Sequence, residues 1–161
     1  MARYSISTNG VTLSTATDYK TIQTTTSGAG SFCSVYEISL SGEATVSTVV
    51  RTIANRPTAN GITIGANTQT PEKINPGSAA AGASIAGTSI AVASWSTAPA
   101  LSAGDLVSLT FNAFGGIYRW VAPPDSELIV CPVGTTTAGS LSFRSRSGTP
   151  VVSGHILYEE K

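Results

Sequence analysis

Between Leu106 and Phe114 the chain reads Leu-Val-Ser-Leu-Thr-Phe-Asn-Ala-Phe, and its apolar residues fall at every second position. Val107, Leu109, Phe111 and Ala113 share one side, and Ser108, Thr110 and Asn112 the other. A period of two is the side-chain period of a β-strand, and no helix turns such a pattern into one apolar face. Gly115-Gly116 supplies residues free to take positive φ, and Ile117 to Val121 reads as a return strand, which predicts a tight hairpin. Pro123-Pro124 then ends the strand, because proline cannot donate to a ladder. Strands are expected again over Glu127–Val133, over Ser140–Ser147, where Leu141 and Phe143 alternate with Ser142, Arg144 and Arg146, and over Val151–Glu160.

The amino-terminal half repeats this grammar. Tyr4–Ser7 and Val11–Leu13 flank Asn9-Gly10, a hairpin-type dipeptide. Thr17–Thr24 is a further strand, although Tyr19 and Ile22 are three residues apart and fit alternation poorly. Phe32–Leu40 places Phe32, Ser34, Tyr36, Ile38 and Leu40 on one face and Cys33, Val35 and Glu37 on the other. Ser41-Gly-Glu43 is expected to turn the chain into Ala44–Ala54. Short strands separated by turn signals define an all-β chain, an antiparallel sandwich or barrel. From about residue 55 to 88 the pattern dissolves into Pro, Gly and Ala, with only Ile62-Thr-Ile64 strand-like, so a long irregular loop or arm is expected there. Ser89–Ala93 is a further candidate strand.

Length and charge narrow the function classes. The 161 residues are enough for one ordinary domain. Nine basic and nine acidic residues cancel, so no electrostatic footprint for nucleic acid or anionic lipid exists. Charged residues are 11% of the chain, against about a quarter in typical domains. Strand faces lined by Ser and Thr in place of Lys and Glu suit a surface covered by other protein, and a Thr-rich β protein accounts for the composition as well. No signal peptide is read at the amino terminus, and the uncharged run Ile74–Gly104 is too polar and broken to span a bilayer. Cys33 and Cys131 lie in apolar strand patterns and read as buried free thiols.

Reactive constellations are missing from the sequence. His155 is the only histidine, and no Gly-x-Ser-x-Gly motif offers it a nucleophile, so it reads as structural or surface. Acidic residues are scattered apart from Glu159-Glu160, and no phosphate-binding glycine loop precedes a helix. Accordingly no catalytic, cofactor-binding or metal-ligating residue is assigned. Trp95, Tyr118 and Trp120 have the flat faces of a sugar-stacking platform, and equally those of core or interface packing. Arg119 is expected to be a salt-bridge or intersubunit partner. Arg144 and Arg146, on one face of a strand, suggest a carboxylate across an interface, or a solvated face.

Several segments together carry a resemblance. They are Met1–Ser7 with Asp18–Ile22, the Phe32–Leu40 strand, Arg51-x4-Arg56-Pro-Thr, Thr70-Pro-Glu-Lys-Ile-Asn-Pro76 leading into Ala79–Ala81, Arg119-Trp-Val-Ala-Pro-Pro124 with Glu127–Val130, and Gly154–Glu160. In this order they resemble small jelly-roll virion proteins of tailed bacteriophages, of the type that decorate or cement capsids, typically as trimers. The resemblance implies a single jelly-roll domain over residues 1–161 with an arm at about 55–88. It implies a non-enzymatic, cofactor-free homotrimer, made in the host bacterial cytoplasm, that binds the major capsid protein or another virion protein, with no nucleic-acid or membrane partner. Arg51, Arg56, Arg119, Trp120, Arg144 and Arg146 are then the candidate interface residues. A glycan-binding fibre module, using Trp95, Tyr118 and Trp120, and a neck or tail component of the same fold are the alternatives.

Overall fold

A computed structural model describes residues 1–16, 18–25, 32–58, 64–68, 70–78, 89–95, 100–130 and 140–160, with residues 23–25, 64–68 and 89–95 described in backbone only. Twelve strands alternate along it: β1 (Ala2–Thr12), β2 (Asp18–Thr25), β3 (Cys33–Glu43), β4 (Val49–Asn55), β5 (Ile64–Thr68), β6 (Glu72–Lys73), β7 (Ser89–Trp95), β8 (Val107–Asn112), β9 (Phe114–Val121), β10 (Leu128–Val130), β11 (Leu141–Ser147) and β12 (Val151–Glu160). No helix occurs among the described residues, and every strand pair is antiparallel. The all-β expectation holds. Cys33 is buried, as expected, and Cys131 lies outside the described residues.

The first sheet runs β10-β3-β12-β1-β6, with β9 also on β3, and the second runs β5-β7-β2-β11-β4-β8. Their inner faces share one apolar cluster. Tyr4, Ile6, Val35, Ile38, Leu40, Ile156 and Tyr158 come from the first sheet, and Ile22, Val50, Leu109, Phe111, Leu141 and Phe143 from the second. Each such side chain, once buried, contributes roughly 1.5–3 kcal/mol, so the facing sheets hold each other by this layer. Tyr4 stacks on Tyr158 at 5.4 Å between ring centroids, and Tyr19 lies tilted against Phe143.

Three expectations about the connections are corrected. The predicted hairpin at Gly115-Gly116 does not form: β8 pairs with β4 in the second sheet, whereas β9 pairs with β3 in the first. The chain instead turns a corner at Ala113, whose N–H donates to Thr48 O at 2.8 Å and whose carbonyl accepts from Ala44 N–H at 3.0 Å. Ser41-Gly-Glu43 is likewise no turn, for β3 continues through it. A Cβ on Gly42 would stand 2.1 Å from Ala113 O, so only glycine lets the corner pass this close to β3. Asn9-Gly10 does not reverse the chain either: β1 carries on to Thr12, and Gly10, at φ 57, sits where the register with β12 slips between Thr8 and Val11. Here the positive φ serves a bulge and not a hairpin.

Bulges also explain the alternation errors. Val35 lies opposite Tyr158 and Glu37 opposite Leu157, which leaves Tyr36 as an extra residue in β3. Parity therefore changes at Tyr36: Cys33 and Val35 are buried before it, Ile38 and Leu40 after it, and Phe32 is exposed. The expected face of Phe32, Tyr36, Ile38 and Leu40 does not exist. A similar slip, Lys20 opposite Phe143 but Asp18 opposite Arg144, lets Tyr19 and Ile22 both reach the core despite their spacing of three.

In the expected irregular segment 55–88, a strand is described at Ile64–Thr68, the first two residues of the expected Ile62-Thr-Ile64 lying outside the described residues, and β6 adds to the edge of β1 through Tyr4 opposite Lys73. Residues 59–63, 69 and 79–88 lie outside the described residues. Substituting Gly42→Ala is expected to destabilise the protein by about 3 kcal/mol or more, because backbone meets backbone there. Gly104→Ala, with nothing within 4 Å of its added Cβ, serves as the neutral control. Urea unfolding midpoints at equal slope check both.

Candidate interaction face

Alternation that sends core residues inward sends their neighbours outward, and on the first sheet those neighbours form a broad open face. β1 contributes Arg3, Ser5 and Ser7, β12 contributes Ser153, His155, Leu157 and Glu159, and β3 contributes Glu37, Ser39 and Ser41. On β9 the outward residues are Ile117, Arg119 and Val121, with Ile117 76% and Val121 50% exposed. Phe114, Val46 and Val49 add exposed apolar surface beside the Ala113 corner. Scattered exposed apolar residues are ordinary, but a serine-lined sheet with an apolar margin is a surface that another protein can cover without stranding charge.

Near its centre the face carries one compact charge cluster. Ser39 lies opposite Arg119 on one side and opposite His155 on the other, and both longer side chains reach diagonally back to Glu37. Arg119 donates through Nε and Nη2 to the two Glu37 oxygens, each at 2.8 Å, a bidentate fork. His155 Nε2 lies 3.1 Å from Glu37 Oε1. The hydrogen bonds from Arg119, helped by His155 and opposed by burial, pull the Glu37 carboxyl down to about 2.

Ser39, His155 and Glu37 include the residue types of a hydrolytic triad, but no hydrogen bond joins Ser39 to His155. The β3 backbone around them is paired on both sides, to β12 and β9, so its N–H groups are spent in ladders and do not converge on an oxyanion. Electrostatic pairing of strands is what this arrangement does. A concavity of about 370 Å³ is open and lined by Glu43, Val46, Thr48, Thr149 and Pro150 among others, with Glu43 the one titratable side chain among its described lining residues. Among the described residues no three metal-binding side chains cluster.

The remaining arginines have partners within their own chain. Arg144 pairs with Asp18 at 2.6 Å, the two side chains 12% and 0% exposed, and Asp18 also accepts from Thr21. Arg146 and Arg51 share Asp105, at 2.7 and 3.0 Å, and Asn55 donates to it as well. Burial pushes the Asp105 carboxyl up, but hydrogen bonds from Arg146 and Asn55 and the two positive charges outweigh it and hold it below the usual range. Within the single chain, Arg144 and Arg146 thus find their carboxylates in Asp18 and Asp105. Arg56 donates to the carbonyls of Ser140 and Ile129, tying the two sheets together at one end.

Tyr118 and Trp120 lie opposite Leu40 and Ile38 and pack half-buried against the core. Trp95 ends β7 opposite Ile64, and its side chain lies outside the described residues. Sequence reasoning missed the cluster at Glu37, having set it on a face with Cys33 and Val35. No family model matches the chain, and comparison with curated proteins and with solved structures found no match.

Two outcomes follow. Glu37 is ionised with a folded pKa below its unfolded value of 4.5, so its stabilisation is fully present above that value and is lost as pH falls from about 5 towards 2. Its size should be about 1 kcal/mol, because water screens the exposed guanidinium, and in Glu37→Gln this part of the acid dependence of the thermal midpoint should vanish. Arg144→Met strands the buried Asp18 carboxylate and should cost about 3–5 kcal/mol. Adding Asp18→Asn should recover much of that loss in chemical denaturation.

Proposed function

We propose that this chain is a jelly-roll virion structural protein that decorates and stabilises a phage capsid, assembling as a trimer. The observation that carries the reading is the strand order. Taking β9 and β10 as successive occupants of one edge of β3, the order β1-β12-β3-β9/β10 faces β2-β11-β4-β8. The chain alternates between the sheets from β1 to β4, returns beside β4 as β8, and crosses again at Ala113. This order supports reading the fold as the two-Greek-key arrangement of an eight-stranded jelly roll, an architecture frequent in capsid and lectin domains. β5, β6 and β7 extend the sheet edges and come from the segment between β4 and β8.

The surface supports a covered, non-catalytic role. The open face is serine-rich with exposed Ile117 and Val121, and its charge is largely consumed in intramolecular pairs. A protein that binds only the assembled shell stabilises it by mass action, and a trimer adds avidity through simultaneous contacts. The partner of such a subunit is the major capsid protein or a neighbouring virion protein, and its place is the virion. A glycan platform draws no support from Tyr118 and Trp120, whose rings pack against the core.

Light scattering on the purified protein should give about three times the 16.4 kDa chain mass. Ile117→Asp, at a site exposed in the single chain, should leave the fold intact and shift the mass to that of one chain if β9 lies in the trimer contact. Electron microscopy of heads with and without the protein should show added density on the shell and greater resistance to heat; density at the neck or tail alone would overturn the decoration role.

A further inference from the structure

We infer that the outer face of the first sheet carries a pocket for a single primary ammonium group, walled by Tyr36 and closed by Glu127, Glu159 and Ser34. The inference does not rest on the virion reading. Its origin is the bulge in β3, because the extra residue there aims Tyr36 outward beside the row in which Arg3 lies opposite Glu159, and Glu159 opposite Ser34. Leu128 lies opposite Val35, which brings Glu127 to the same end of the face. Together Arg3, Ser34, Tyr36, Glu127 and Glu159 line a cavity of about 200 Å³.

Three features define what the cavity takes. The first is charge: two carboxylates against one guanidinium leave one negative charge. Arg3 donates through Nε to Glu159 Oε2 at 3.1 Å and lies 5.6 Å from the Tyr36 ring centroid, while Glu127 forms no ion pair among the described residues. The second is an unmet hydroxyl. Ser34, one of the lining residues, is 2% exposed, and its buried Oγ has no hydrogen-bond partner among the described residues. A buried polar group left so is costly, and whatever enters the cavity can satisfy it. The third is the aromatic wall, whose ring face attracts an organic cation just as it holds the Arg3 guanidinium.

An ammonium matches these features in number as well as sign. Its three N–H donors meet three acceptors, the Glu127 and Glu159 carboxylates and the Ser34 hydroxyl, while its aliphatic stem lies on Tyr36. A hard divalent ion matches less well, since it prefers six to eight oxygens and no third acidic residue joins the group among the described residues. The ammonium can belong to a free aliphatic amine or to a lysine side chain of a neighbouring chain.

Amide resonances of the intact, isotope-labelled protein test this on titration with n-butylammonium and with an N-acetyl-lysine methylamide. Saturable shifts confined to residues 34, 36, 127 and 159, with a Kd on the order of millimolar, are expected. Glu127→Gln should weaken binding about tenfold and Ser34→Ala by a few-fold, both with unchanged spectra elsewhere. Tighter binding of the lysine derivative points to a side chain as the source, and tighter binding of butylammonium to a free amine; both support the pocket. Absence of saturation up to about 100 mM, equal affinity in Glu127→Gln, equal binding of tetramethylammonium, which has no N–H donors, or displacement by calcium chloride would each overturn it.

Discussion

Strand β3 is hydrogen-bonded along both edges, to β12 on one side and to β10 and then β9 on the other, and this double pairing decides where most other groups sit. A strand held on both sides cannot slip by one residue without breaking two ladders. Its irregularity against β12 is Tyr36, which also falls between the stretches paired to β10 and β9. The change of parity there keeps Cys33 and Val35 in the core below it and Ile38 and Leu40 above it. It also sets Tyr36 and Glu37 together on the outer face, where they meet Arg3 on one side and Arg119 with His155 on the other.

Charge in this chain is scarce and is spent locally. Glu37, Asp18 and Asp105 each hold at least one arginine, and these pairs stitch neighbouring strands: β3 to β9 and β12, β2 to β11, and the loop before β8 to β4 and β11. Asp18 with Arg144 is the most buried of them. Such a pair adds little net stability over an apolar pair, yet it penalises any register in which one partner is left alone. Among the described residues the outer face is left with serine, a margin of apolar side chains and few charges outside these pairs.

Much of the strand content was legible locally. Val107, Leu109, Phe111 and Ala113 point inward as alternation requires, and Leu141, Phe143, Val152, Ile156 and Tyr158 are buried where the pattern puts them. What local pattern could not reveal is which strands pair. Gly115-Gly116, Asn9-Gly10 and Ser41-Gly-Glu43 all carry turn chemistry, yet one lies just past an inter-sheet corner, one is a bulge and one continues a strand. Glycine signals that the backbone departs from ordinary φ or passes close to another chain segment; it does not say which. Nor could spacing find the Glu37 cluster, since Arg119 and His155 lie 82 and 118 residues away from it.

By itself the sequence determined the class of structure: period-two alternation and frequent Gly and Pro breaks act within a few residues, so an all-antiparallel chain of short strands was decided before any long-range contact. The tertiary structure alone decided the strand order, the parity of β3 on either side of Tyr36, and which charges meet. Those depend on pairings between segments far apart in the chain, where a single extra residue moves every following side chain to the opposite face.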